Sequence, residues 1–177
     1  VDSRGDERYL ISIAKDQTIK LWDLRKMNTI EEFNSLGSSL NTVYGFDYRM
    51  HDYPHPHNPK KHKLDNSIST FTGFSCMQTN IRAYFSPQET TGQRYVYTGS
   101  SDGGVYIYDI LTGENKCYVD TGTNTVIRDV AWHPSVPLIV TTSFTGSLNF
   151  LEFDHNTGYV TRNIRNRRAM NPQRRMY

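Results

Sequence analysis

Short runs of alternating or β-branched residues recur along the chain, and turn residues bound each of them. The runs are rich in Val, Ile, Thr and Tyr, which is typical of strands, and no stretch shows helical spacing of apolar residues over three turns. The runs are 9–13, 18–22, 95–99, 105–108, 126–132, 138–142 and 148–153. This pattern predicts an all-β chain.

The order of the runs repeats. Pro87 and Pro134 are 47 residues apart, and Asp109 and Glu152 are 43 apart, close to the ~40–45 residues of a four-stranded propeller blade. An earlier copy ends at Asp23. We expect about three blades of a larger ring, with antiparallel sheets at 81–119 and 126–153 packed face to face, since closed propellers need at least about four blades. The expected divisions are a partial blade at 1–34, an insertion at 35–72, two further blades at 73–153 and a basic tail at 154–177.

The insertion is predicted to be an exposed, irregular loop. Its stretch 51–63 is crowded with Pro, His and Lys and shows no alternation. The histidines there have irregular spacing broken by prolines, which favours a solvated loop over a zinc site. They are His51, His55, His57 and His62. No metal or other cofactor is predicted.

Two further expectations concern the C-terminal end of the chain. No blade begins after residue 153, so we expect the last blade to take its outermost strand from the other end of a longer chain, of which these residues would be the C-terminal part. Residues 162–177 contain six arginines and no acid, although the net charge is only +2. Such a cluster is compatible with a nuclear-import signal, with contact to nucleic acid, or with plain solvated disorder. The scarcity of aromatic residues, which would stack on bases, disfavours contact with nucleic acid. The arginines in question are Arg165, Arg167, Arg168, Arg174 and Arg175.

Other classes of function find little support. No apolar run approaches the ~20 residues of a membrane helix, so no membrane partner is expected. Cys76 and Cys117 are too far apart for a metal or redox motif, and we expect thiols in an intracellular protein of the nucleus, the cytoplasm or both. Residues 99–103 match G-x-S-x-G, but a strand instead of a helix follows, which predicts a hairpin turn and no enzyme.

Residues 16–23, DQTIKLWD, resemble the end of a WD repeat, in which a turn Asp and the Trp of the third strand tie the blade together. In the later copies Tyr108 and Leu151 replace Trp22, and Phe144 is expected at the turn-Asp position.

A wider resemblance covers about residues 3–153. The pieces KDQTIKLWDLRKM, FDYRMHDYP, FSPQETTGQRYVYTGS and RDVAWHP look like those of the cullin-4-associated factor eleven family and its plant late-embryogenesis relatives.

This resemblance implies a non-catalytic substrate receptor of a cullin-4 RING ubiquitin ligase. Such receptors dock on the ligase adaptor through a box resembling D-x-x-I-[KR]-L-W-D-x-R, which occurs once here and gives the candidate docking residues. They are Asp16, Ile19, Lys20, Trp22, Asp23 and Arg25. The implied partners are the ligase adaptor and an unknown protein substrate.

Two alternatives stay open. The chain would otherwise be a WD-repeat scaffold in another intracellular assembly, with its basic tail touching nucleic acid. Within the box, Asp23 and Arg25 either reach solvent beyond the strand end and meet a partner, or only pin a turn that connects blades. Trp22 is expected to be a large buried aromatic whose loss damages the blade.

Overall fold

The computed structural model describes residues 1–35, 47, 49–51, 53, 63–154 and 158–164. Strands dominate this part of the chain, which confirms the all-β prediction. The strands are β1 Asp2–Ser3, β2 Tyr9–Ile13, β3 Ile19–Asp23, β4 Ser69–Phe71, β5 Ala83–Phe85, β6 Tyr95–Gly99, β7 Gly104–Asp109, β8 Asn115–Asp120, β9 Ile127–Trp132, β10 Leu138–Ser143, β11 Leu148–Asp154 and β12 Gly158–Ile164. The helices are α1 Ile30–Ser35, α2 Gln88–Thr91 and a 3-10 turn at Leu24–Lys26.

The strands form three antiparallel four-stranded sheets, each built from strands in chain order. The first blade is β1 to β4, the second is β5 to β8 and the third is β9 to β12. The second and third sheets occur where the repeat predicts them. Each blade is a meander, the arrangement that propellers repeat around an axis.

The third blade differs from the prediction at its outer edge. Its fourth strand is β12, which pairs with β11 from Asp154↔Gly158 to Leu148↔Ile164. The outermost strand therefore comes from the residues that follow β11, and the expected basic tail begins with a strand. The sequence signal was the cluster of turn residues before Gly158, followed by the strand-forming Tyr159, Val160 and Thr161.

Strand register corrects the position of the turn Asp. Ile13↔Ile19, Gly99↔Val105 and Thr142↔Leu148 are equivalent pairs that close the hairpins of the three blades. Counting back from the third strand, the residue equivalent to Asp16 and Asp102 is Thr145. Phe144 is instead an exposed residue of the turn. Without a Trp-Asp pair in this blade, the sequence offered no marker for the register.

Two hydrophobic cores join the blades. The first lies between the first and second blades and includes Leu21, Phe71 and Tyr108, whereas the second lies between the second and third and includes Ile107 and Leu151. Because neighbouring side chains of a strand point to opposite faces, Tyr108 faces the blade before it and Ile107 the blade after it. In the same way Leu151, the equivalent of Tyr108, packs against the blade that precedes its own.

The insertion lies between the third and fourth strands of the first blade. Its C-terminal end belongs to the sheet, because β4 pairs with β3 through Ile19↔Phe71 and Phe71 is only 1% exposed. The range 35–72 was therefore too wide at this end. The predicted exposure of Pro54 to Pro59 and the positions of His55, His57 and His62 lie outside the described residues.

The G-x-S-x-G segment is a hairpin turn, as predicted. It joins β6, which ends at Gly99, to β7, which begins at Gly104. Gly103 has a φ of +89°, and a Cβ there would lie 1.9 Å from the Thr123 carbonyl oxygen, so only glycine fits. The Ser101 hydroxyl donates to the Met77 carbonyl oxygen at 3.0 Å and accepts from the Met77 N–H at 2.7 Å, which gives this serine a structural role.

Candidate docking site on the first blade

The candidate site begins at the tight turn between β2 and β3. Asp16 Oδ1 accepts hydrogen bonds from the Thr18 N–H at 3.1 Å and the Thr18 hydroxyl at 2.8 Å, which closes the turn. Gln17 next to it has a φ of +61° and is 6% exposed. Its amide bonds both the N–H and the carbonyl of Cys76, so this turn is tied to the segment that enters the second blade. The pattern of the box did not point to Gln17, because its partner lies far along the chain.

The middle of the box divides between the two faces of β3. Ile19 is 0% exposed and Leu21 is 5% exposed, and both belong to the core shared with the second blade. Lys20 lies on the other face and donates to Asp65 Oδ2 at 2.7 Å, with Asp16 at 3.9 Å. Burial alone would raise the pKa of Asp65, but hydrogen bonds from Lys20 and Ser67 hold it below its usual value. Lys20 thus clamps the end of the insertion to the blade.

Trp22 shares the face of Lys20 and is only half-buried. Its indole N–H donates to the Ser12 hydroxyl at 2.8 Å, which links β3 to β2. The ring lines an open cavity of about 460 Å³ together with Met27, Ile30 and Leu64. Within the described residues Trp22 is therefore less buried than expected, because its face of the first blade is turned away from the second blade and no other described blade packs on it.

Asp23 ends β3 and lies between two arginines. Its side chain is 2% exposed, so the expectation that it reaches solvent was wrong. Arg8 donates through Nε at 3.3 Å and Nη2 at 3.1 Å. Arg25 donates through its backbone N–H at 3.0 Å, Nε at 3.1 Å and Nη2 at 3.0 Å. The Arg25 side chain is nevertheless 60% exposed, as expected of a residue beyond the strand end.

The second blade has the same arrangement with one arginine fewer. Arg94 donates to Asp109 Oδ2 through Nε at 2.9 Å and Nη2 at 2.7 Å, and this pairing is the main reason that the pKa of Asp109 lies below its usual value. Leu111 takes the position of Arg25 and bonds Asp109 only through its backbone N–H at 2.9 Å. The Arg that precedes the second strand is thus a repeat feature, whereas Arg25 is an addition of the first blade.

The third blade lacks both arginines. Pro137 stands at the position of Arg8 and Arg94, and Asp154 at that of Arg25. The carboxylate of this blade is Glu152. Of the three blades, only the first therefore has an arginine two residues after the acidic residue of its third strand.

Other site types have limited support in the described part of the chain. Among those residues, no group of three or more His, Cys, Asp or Glu side chains is arranged to hold a metal ion. None of the described helices is long and apolar enough to cross a membrane. The tail arginines Arg165 to Arg175 lie outside the described residues.

The blades and the DQTIKLWD turn define the class of protein. A scan against models of protein families gave no match. The fold is similar to a chain of the solved structure "Crystal Structure of Mitotic Checkpoint Complex", with a TM-score of 0.54 and 16% identity over 90% of this chain and 37% of that chain. The sequence is 27% identical to WD repeat-containing protein 1 of Gallus gallus, over 70% of this chain and 21% of that protein. The chain is a partial WD-repeat β-propeller.

Two more similar relatives extend this assignment. The chain is 46% identical over 156 residues to the LEC14B protein of Lithospermum erythrorhizon, which covers 88% of this chain and 32% of that protein. It is 41% identical over 146 residues to the DDB1- and CUL4-associated factor 11 homolog of Caenorhabditis elegans, which covers 82% of this chain and 25% of that protein. The chain is homologous to both proteins and spans about a quarter to a third of their length. None of these relatives is named as an enzyme, in agreement with the prediction that this chain is not one.

Proposed function

We propose that this chain is part of a substrate receptor of a CUL4 ubiquitin ligase and that it docks on the adaptor DDB1 through the first blade. The proposal is supported by the homology to DDB1- and CUL4-associated factor 11 proteins over 82% of the chain. It is also supported by the box at residues 16–25, which occurs once among the three blades. The protein substrate would bind elsewhere on the propeller, and the chain itself would perform no chemistry.

One observation carries the docking proposal: the buried Asp23 carboxylate holds an exposed Arg25. An Arg side chain normally loses much conformational freedom when it binds a partner, and this cost falls when the free protein already fixes it. Two hydrogen bonds from its guanidinium to Asp23, with a third from its backbone N–H, restrain Arg25 while 60% of its side chain stays accessible. Arginine is also a frequent anchor of protein interfaces because its planar fork matches carboxylates and carbonyls.

The competing interpretation is that Arg25 only stabilises the turn after β3. Both interpretations use the same hydrogen bonds, and they differ in the effect that they predict for loss of the Arg25 side chain. Arg8 provides a matched control, because it donates to the same oxygen of Asp23 at a similar distance but precedes β2. A docking anchor would affect DDB1 binding specifically, whereas a turn residue would affect stability.

The experiment compares Arg25→Ala with Arg8→Ala in the full-length protein. Binding to purified DDB1 is measured by biolayer interferometry, and folding by thermal denaturation of the same samples. We expect Arg25→Ala to weaken binding about 10-fold or more, as for an interface anchor, and Arg8→Ala to bind within about twofold of wild type. Wild-type affinity of Arg25→Ala would refute docking through this residue. Equal loss in both variants, with lowered melting temperatures, would assign both arginines to the blade alone.

The alternative function, a WD-repeat scaffold in another assembly, is tested by a different experiment. In that case Arg165 to Arg175 would contact nucleic acid, and binding to a nonspecific duplex would fall steeply as salt rises. We further propose that the protein resides in the nucleus, the cytoplasm or both. A fluorescent fusion with and without residues 165–177 tests whether the arginines direct nuclear import.

A further inference from the structure

A second cavity lies between the second and third blades, away from the candidate docking site. Its volume is about 400 Å³, and three aromatic residues and one carboxylate are among its lining side chains. Tyr84 comes from β5, Tyr97 from β6, and Asp129 and Trp132 from β9. None of these residues belongs to the docking box at residues 16–25.

The aromatic walls are held in place by contacts with one another. The ring centroids of Tyr84 and Tyr97 are 5.9 Å apart, and those of Tyr97 and Trp132 are 5.5 Å apart in an edge-to-face arrangement. The Tyr97 hydroxyl accepts a hydrogen bond from the Trp132 backbone N–H at 3.1 Å. Burial is the main reason that the pKa of Tyr97 is raised to about 12, so this phenol stays neutral at physiological pH.

The carboxylate of Asp129 is fixed but only partly neutralised. Oδ1 accepts from the Tyr84 hydroxyl at 2.9 Å and from the Val130 N–H at 3.0 Å. Oδ2 is 3.7 Å from Arg82 Nη1, which is an ion-pair distance longer than a hydrogen bond. The side chains are 38% exposed for Asp129 and 73% exposed for Arg82, so solvent screens the pair. The charges of Asp2 and Asp129 add to the effect of burial in raising the pKa of Tyr97.

We propose that this cavity binds a cationic side chain, lysine or arginine, presented by a partner protein. The faces of Trp and Tyr rings attract cations within about 6 Å of the ring centroid, more strongly when water is excluded. Asp129 adds the opposite charge at the same cavity, and both features favour a cation over a neutral group. The exposed Arg82 would compete with the incoming cation for Asp129. This inference is independent of docking through Arg25, since the residues belong to different blades.

The test uses the two tryptophans of the chain as reporters. Protein labelled with 5-fluorotryptophan gives one ¹⁹F resonance for Trp22 and one for Trp132, and Trp22→Phe assigns them. The probes are n-butylammonium and n-butylguanidinium, with n-butanol as the neutral control at constant ionic strength. We expect both cations to shift the Trp132 resonance in a saturable way, at least about fivefold more tightly than n-butanol, and to leave the Trp22 resonance in place.

Three variants make the outcome specific. Asp129→Asn should weaken cation binding at least about fivefold, and Arg82→Ala should strengthen it because the competing guanidinium is gone. Tyr84→Leu removes one aromatic wall and should also weaken it, which keeps the test valid should Asp129→Asn fail to fold. A shift that does not saturate, that n-butanol reproduces at equal concentration, or that persists unchanged in Asp129→Asn or in Tyr84→Leu would overturn the proposal, as would loss of binding in Arg82→Ala.

Discussion

The first and second blades place the same repeat positions in different surroundings. Tyr108 of the second blade is 1% exposed, packs against Phe71 with ring centroids 5.3 Å apart, and donates its hydroxyl to the Thr72 carbonyl at 2.9 Å. Trp22, its equivalent, is half-buried beside an open cavity. Within the described residues, Tyr108 has the first blade packed against it, whereas no described blade lies against the equivalent face of the first blade, which contains Trp22.

The largest expected effect concerns the packed member of this pair. Tyr108→Ala should lower the free energy of unfolding by about 3–5 kcal/mol, because it leaves a cavity in the core between the first two blades. Tyr108→Phe, which loses only the hydroxyl bond to Thr72, should cost about 1 kcal/mol. Urea denaturation followed by circular dichroism measures both changes. A loss below about 1 kcal/mol for the Ala variant would contradict the interface between these blades.

Trp22→Ala should have a smaller effect. The ring is only half-buried, so its removal should cost about 2 kcal/mol, made up of partial apolar burial and the hydrogen bond to Ser12. The matched variant Ser12→Ala, which removes only that bond, should cost about 1 kcal/mol. The same urea titration checks that the loss of stability decreases from Tyr108→Ala to Trp22→Ala to Ser12→Ala. A Trp22→Ala effect as large as that of Tyr108→Ala would show that a further element covers this face of the first blade.

The elements of the fold were predictable from sequence, whereas much of the site was not. Alternation and turn residues were sufficient for the second and third sheets, because they report on local backbone geometry. The pairing of Asp23 with Arg8 was missed because Arg8 is 15 positions away and precedes a different strand. The cavity at Asp129 was also missed, because its hydrogen bond to Tyr84 joins residues 45 positions apart. Local patterns contain no information about such pairs.

The pH dependence of stability should show the contribution of the ion pair between Asp109 and Arg94 in the second blade. The pKa of Asp109 is below its usual value because of Arg94, so the pair stabilises the fold above the unfolded-state pKa of about 4. This stability is lost as pH falls through the lower folded-state pKa. Urea midpoints measured from about pH 6 to about pH 2.5 should therefore fall less steeply in Asp109→Asn than in wild type. Arg94→Ala should flatten the curve similarly, and an unchanged slope in both variants would contradict the pairing.

The smallest effect on stability is expected for Arg25. Its side chain is 60% exposed and Asp23 keeps Arg8 as a second partner, so Arg25→Ala should change the free energy of unfolding by about 0.5 kcal/mol or less. Asp23→Ala should cost more, about 1–3 kcal/mol, because the backbone N–H of Arg25 and two guanidinium groups lose their acceptor. Urea denaturation of both variants gives the ratio. A stability loss for Arg25→Ala equal to that for Asp23→Ala would mean that the exposed arginine serves the turn. A small loss of stability combined with weakened DDB1 binding is the result that a preorganised surface anchor requires. The second blade has Leu111 at the position of Arg25, so Leu111→Ala should leave DDB1 binding unchanged.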